Sequence, residues 1–159
     1  MDKYYYLNAS LPYLSFPQPP VFRREELLSC AEEWLGKKEQ SILQESRFDN
    51  FRILPGEPLI LRRWKKFEYQ LRKELSFWRQ KGRKSSGSEL TESLKDKNPL
   101  ECEYELISRR WEFLDELEEG HFFDFDYLVI YSLKLSLLEY WFSFNKEKGR
   151  LNFEALVEL

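Results

Sequence analysis

His121 is the only histidine in the chain, so any nucleophile-and-base arrangement has a single possible base. It stands just past a predicted helix end, with no nucleophile near it in sequence. Glu118-x-x-His121 has the spacing by which bundle helices present metal ligands, but a di-iron site wants two such pairs. The second histidine does not exist, and Gly120 falls inside the motif where it breaks the helix. Carboxylates crowd residues 99–126, yet no spacing among them singles out a hydrolase pair. Cys30 and Cys102 fall among apolar neighbours and belong to no zinc-ligand set. With no secretory signal in view, two reduced thiols rather than a disulfide are the expectation. Six scattered glycines build no phosphate-binding loop. The residues therefore predict no enzyme, no metal and no cofactor. His121 is read as a capping or loop contact, and the expected role is binding or scaffolding.

The elements that would position these groups read as helices. At 159 residues the chain is expected to form one domain, 1–159. Aromatic content is 17%, far too much bulk for a disordered chain. Six Gly and seven Pro leave little material for the turns of an all-β fold. In 24–35, Leu27, Leu28, Ala31, Trp34 and Leu35 recur at helical spacing. A weaker helix is read over 37–47, and "RFDNFRILPGEP" reads as a loop with a Pro-Gly turn. From 58 to 81, Ile60, Trp64, Phe67, Leu71, Leu75 and Trp78 form one amphipathic stripe. Residues 82–98 are serine- and glycine-rich, with mixed charge and nothing to bury, and are read as a flexible linker within the domain. Asn98 then Pro99 is an N-cap with proline in the first turn, opening a helix to Glu119.

Asp124 is placed to cap the last long helix, about 125–147, which Gly149 would end before a short helix at 151–157. "YLVIYSLKLSLLEYWFSF" resembles a membrane span in composition, but Lys134 and Glu139 in its middle are expensive in lipid. Ser132, Ser136, Glu139 and Ser143 align as one narrow polar stripe, so a buried core helix is expected and no direct membrane span. The fold class that follows is all-α: a helical bundle with two long antiparallel helices, a central apolar helix and smaller N-terminal helices.

Net charge is −3, but the total hides an asymmetry. Residues 58–84 carry +8 and residues 99–126 carry −8. Four readings stand side by side. The faces are simply solvated; the two helices pair as a hairpin; each faces a partner of opposite charge; or the basic helix, with Trp64, Phe67, Tyr69 and Trp78 interleaved, binds nucleic acid. Against the last, Trp64, Phe67 and Trp78 lie on the apolar stripe and belong in the core, so no nucleic-acid partner is expected.

The N-terminal "MDKYYYLNASLPYLSFPQPP" has no apolar run long enough for a signal peptide. Tyr4, Tyr5, Tyr6, Leu7 and Leu11 are expected to anchor the terminus on the bundle. Pro12, Pro17, Pro19 and Pro20 then carry an extended segment across the surface to the first amphipathic helix.

Three blocks carry a resemblance: "YYYLNASLPYL", "LILRRWKKFEYQLRKEL", and the stretch from "NPLECEYELISRRWEFLDELEEGHFFDFDY" through "NKEKG". Together they resemble a family of uncharacterised proteins from the V-type ATPase operons of bacteria such as chlamydiae and Bacteroidetes. That family is similar to the C subunits of V/A-type ATPases, called d in eukaryotes. The most specific matches are Trp111, Asp115, Glu116, Gly120, His121 and Asp124. Segment 36–57 is shorter here than in that family, and the threefold repetition of C subunits proper is not visible. The resemblance implies a non-catalytic helical subunit or accessory factor linking central stalk and membrane rotor ring. It implies other ATPase subunits as partners, and a cytoplasmic position peripheral to the inner membrane. The alternative is a free-standing protein-binding adaptor not required by the ATPase. Candidate partner-binding residues are Tyr4, Tyr5, Tyr6, Arg62, Arg63, Lys66, Arg72, Asp115, Glu116, His121 and Asp124.

Overall fold

The computed structural model describes residues 2–83 and 88–157, with side chains for 3–83 and 88–143. Among the described residues the chain is all-helical: α1 (Asp2–Ser10), α2 (Arg24–Glu32), α3 (Lys37–Glu45), α4 (Leu59–Gln80), α5 (Glu89–Leu94), α6 (Pro99–Glu118) and α7 (Phe125–Val157). Helix α7 is the axis of the bundle, and α1, α2, α3, α4 and α6 all pack on it. From Leu128 to Leu138 every residue of α7 is buried, as a helix apolar on nearly all sides requires.

Helices α4 and α6 run antiparallel. Phe67 stacks on Phe113 with ring centroids 4.1 Å apart, while further along α4 Leu71, Leu75 and Trp78 join Leu106 in one cluster. Helices α6 and α7 are antiparallel too, since Asp115 meets Lys134 and Tyr104 meets Trp141. The predicted stripe of α4 is the buried one: Ile60, Trp64, Leu71, Leu75 and Trp78 are all inside. Helix α6 opens with a full capping box, in which the Asn98 side chain accepts from the Glu101 N–H and the Glu101 carboxylate accepts from the Asn98 N–H.

The polar stripe of α7 is a mooring line for the N-terminal helices. The Ser132 hydroxyl donates to the Ser46 carbonyl at 2.8 Å and accepts from Arg24 Nε at 3.0 Å. The Ser136 hydroxyl accepts from the Phe48 N–H at 3.0 Å. Glu139 accepts from the Arg24 N–H at 2.8 Å, supplying from α7 the cap that Arg23 does not provide for α2.

Several expectations are revised. Helix α2 ends at Glu32, leaving Trp34 partly exposed in the turn, and Cys30 is exposed rather than apolar-packed. The segment read as having nothing to bury contains α5, whose Leu90 and Leu94 are buried against Leu71, Leu75, Trp78 and Leu106. Two leucines one turn apart are enough to dock a helical turn, which composition averaged over the stretch conceals. The Ser88 hydroxyl caps α5 by accepting from the Thr91 N–H. Residues 84–87 of that segment lie outside the described residues. Finally, Gly149 does not end the last helix, since α7 continues to Val157. One glycine inside a helix costs only about 1 kcal/mol, too little to stop it unaided.

Candidate functional site

Few charged groups of the interior are left for chemistry, because they engage one another. Glu68 of α4 is fully buried; it accepts from Arg110 of α6 and from Arg72 Nε at 3.0 Å. Lys134 of α7 is buried between Asp115 (2.6 Å) and Glu118 (2.7 Å), its ammonium 5.1 Å from the centre of the Trp111 ring. Glu57 binds Lys65 at 2.6 Å and accepts from the Leu54 N–H at 3.2 Å. Each cluster ties one element to another, as buried ions must be tied.

The N-terminus divides as its side chains do. Leu7 is buried, and Tyr4 and Leu11 pack on the core. The Tyr4 hydroxyl and the Lys3 ammonium (2.9 Å) both bond Glu39 of α3. Burial alone would raise the Glu39 carboxyl, but these two donors outweigh it and hold it below the usual range. Tyr5 and Tyr6, expected in the anchor, are instead exposed. The residue that ties the end down is Asn8, which donates to the carbonyls of Phe122 (2.8 Å) and Asp124 (3.2 Å). Beyond it, Phe16 lodges among the rings of Tyr104, Trp111 and Trp141, fastening the proline segment.

His121 and Asp124 meet in the α6–α7 turn, Nδ1 to Oδ2, at 2.7 Å. With Asp126 they make the one group among the described residues whose ligand atoms, all within 4.8 Å, could hold a cation. Other duties occupy it. The second oxygen of Asp124 accepts from the Tyr127 N–H and caps α7. A helix N-terminus also carries partial positive charge, which opposes a cation there. Burial, and then the neighbouring Asp124, raise the Asp126 carboxyl despite His121. The turn is thus a structural cap, the loop role expected of His121.

Among the described residues, sequence-predicted site residues lie on two exposed apolar surfaces that share no residue. The first is a groove of about 700 Å³ between the 51–57 loop and α4, lined by Phe51, Ile53, Tyr69, Arg62, Lys66 and Arg72, with Glu57 and Lys65 at its base. Arg63, Lys66, Phe67, Phe113, Glu116 and Leu117 line a shallower hollow of about 530 Å³ beside it. The second surface is aromatic. Phe123 and Tyr5 have ring centroids 4.9 Å apart, Tyr5 abuts Tyr6 at 5.5 Å, and Tyr6 reaches Trp34 at 6.4 Å. Phe122 is exposed beside them, in the turn that carries Asp124 and Asp126.

The predicted site residues therefore separate. Arg62, Arg63, Lys66, Arg72 and Glu116 gather along α4; Tyr5, Tyr6, His121 and Asp124 gather at the α6–α7 turn; Tyr4 and Asp115 serve Glu39 and Lys134. Sequence reasoning missed Phe51, Ile53, Phe122 and Phe123. The signal available was large apolar residues inside segments otherwise read as loops, where no stripe calls for them. Of the aromatics interleaved with basic residues, Trp64 and Trp78 are buried and Tyr69 is exposed.

A family model described as "Protein of unknown function (DUF2764)" matches residues 86–159, the span that holds α5, α6 and the described part of α7 with the turn between them. No curated protein and no solved structure matches the chain. No helix among the described residues is long and apolar enough to cross a membrane.

Proposed function

We propose that this protein is a non-catalytic helical component or accessory factor of a V-type ATPase, similar to the C subunits, that links the central stalk to the membrane rotor ring from the cytoplasmic side. The observation that carries the docking role is the pair of exposed apolar surfaces, one of them lined by basic side chains, on a bundle whose buried charges are paired internally. Contiguous exposed apolar patches rimmed by polar residues are the usual mark of protein contacts. Two such surfaces let one body touch two neighbours. The ATPase setting is supported by the three sequence blocks that resemble proteins of its operons. A stiff central helix held from several sides suits a part that transmits torque.

Co-purification from native membranes tests the proposal. The tagged chain should bring down stalk and ring subunits together. Charge reversal at Lys66 and loss of both Phe122 and Phe123 should each release one side only. Failure to retain any ATPase subunit would refute the assignment, and binding that survives deletion of the ATPase genes would favour a free-standing adaptor.

A further inference from the structure

We infer that the groove between the 51–57 loop and α4 is the docking site for an acidic partner segment that inserts a large apolar side chain between its carboxylates. This deepens the docking role above by assigning the chemistry of one partner. The apolar lining is open: Ile53, on the loop, is 81% exposed, and Tyr69, on α4, is 63% exposed. The rim is cationic. Lys66 has no ion pair among the described residues, and the exposed Arg62 has its carboxylate, Glu57, only at 3.9 Å. The Arg72 guanidinium stands 4.3 Å from the centre of the Phe51 ring, with its own carboxylate, Glu68, buried beneath. Cationic charge at the rim thus faces solvent beside uncovered apolar side chains.

The loop that forms one wall is already fixed. Lys65 donates to the Arg52 carbonyl and binds Glu57, and Asn50 Nδ2 donates to Glu45 at 2.6 Å. A preformed wall removes ordering cost from binding. Complementary charge would steer the partner and set its register, while the apolar insertion would supply most of the affinity. Nucleic acid fits less well. Ile53 offers no ring, Phe51 is covered on one face by Arg72, and Trp64 and Trp78 are buried, leaving Tyr69 as the open stacking surface.

The test uses the full-length chain and fluorescence anisotropy with a short labelled peptide of glutamate, serine and phenylalanine. The peptide should bind. Lys66→Glu and Ile53→Ser, both at exposed positions, should each weaken it by about tenfold or more while leaving the thermal melt unchanged. Replacing the peptide's phenylalanines by serine should weaken it similarly, and replacing its glutamates by lysine should abolish binding. No binding by the acidic peptide, or binding indifferent to both protein changes, overturns the inference. So does tighter binding of single-stranded DNA or of phosphatidylserine vesicles through the same residues, or self-association that Lys66→Glu removes. Peptide binding that persists in a protein that co-purifies with no ATPase subunit refutes the ATPase assignment and leaves the groove; the converse result refutes the groove alone.

Discussion

Glu68 and Arg110 meet inside the protein, Arg110 Nη2 lying 3.5 Å from Glu68 Oε2 and its Nε closer still to Oε1. Each is the minority charge of its helix: a glutamate on the basic α4, an arginine on the acidic α6. The two helices are therefore joined by the charges that run against their overall sign. Apart from Asp115 and Glu118, which hold Lys134 of α7, their majority charges are left mostly to solvent, to local pairs or to partners.

Removing Glu68 takes from Arg110 the one carboxylate it meets among the described residues, whereas removing Arg110 leaves Glu68 buried with Arg72 alone. Glu68→Met should destabilise the fold by about 3–5 kcal/mol and Arg110→Met by less, and the double change Glu68→Met/Arg110→Met should recover most of the loss. Urea denaturation of the three variants checks this. Additive losses would mean that the pair is not coupled.

Glu139 tests whether α7 caps α2. Glu139→Ala removes both the acceptor and the negative charge at the α2 N-terminus and should cost about 1 kcal/mol. Glu139→Gln keeps an acceptor oxygen and should cost only a few tenths, about a third of that. A difference in chemical-denaturation midpoint between the two variants separates charge from hydrogen bond.

Leu94 tests the docking of α5. Its side chain is 1% exposed, so Leu94→Ala should cost about 2–5 kcal/mol through lost burial and the cavity left behind. Amide hydrogen exchange should show faster exchange in α5 and the facing turns of α4 and α6. Unchanged exchange and stability would place Leu94 in solvent.

Tyr140 should make stability fall in alkali. Its hydroxyl donates to Glu103 Oε1 at 2.7 Å, and burial, followed by that bond and the nearby carboxylate, pushes its pKa up from 10.0 to about 12. The folded state keeps the phenolic proton longer than the unfolded one. The contribution is thus complete below pH 10 and lost as pH rises toward about 12. Tyr140→Phe should remove that slope, read as the difference between wild-type and variant denaturation midpoints across the interval.

Local rules made much of the fold legible in advance. Apolar residues at steps of three and four name the buried face of α4, and Asn98-Pro99 marks the start of α6. The narrow polar stripe of α7, with Lys134, identified a core helix before its neighbours were known. These signals are legible because a helix repeats its own geometry, so burial on one face writes a period into the chain.

Only the tertiary structure decided which charges are buried, since Glu68 and Glu74 on one helix, or Arg109 and Arg110 on another, are chemically alike until a neighbour covers one of each. It also decided that Asn8 reaches the turn before α7, that Glu139 caps a helix more than a hundred residues away, and that Ile53 lies open beside Lys66. Such relationships join residues far apart in the chain. They arise from the crossing of separate helices, a three-dimensional fact that no local period encodes.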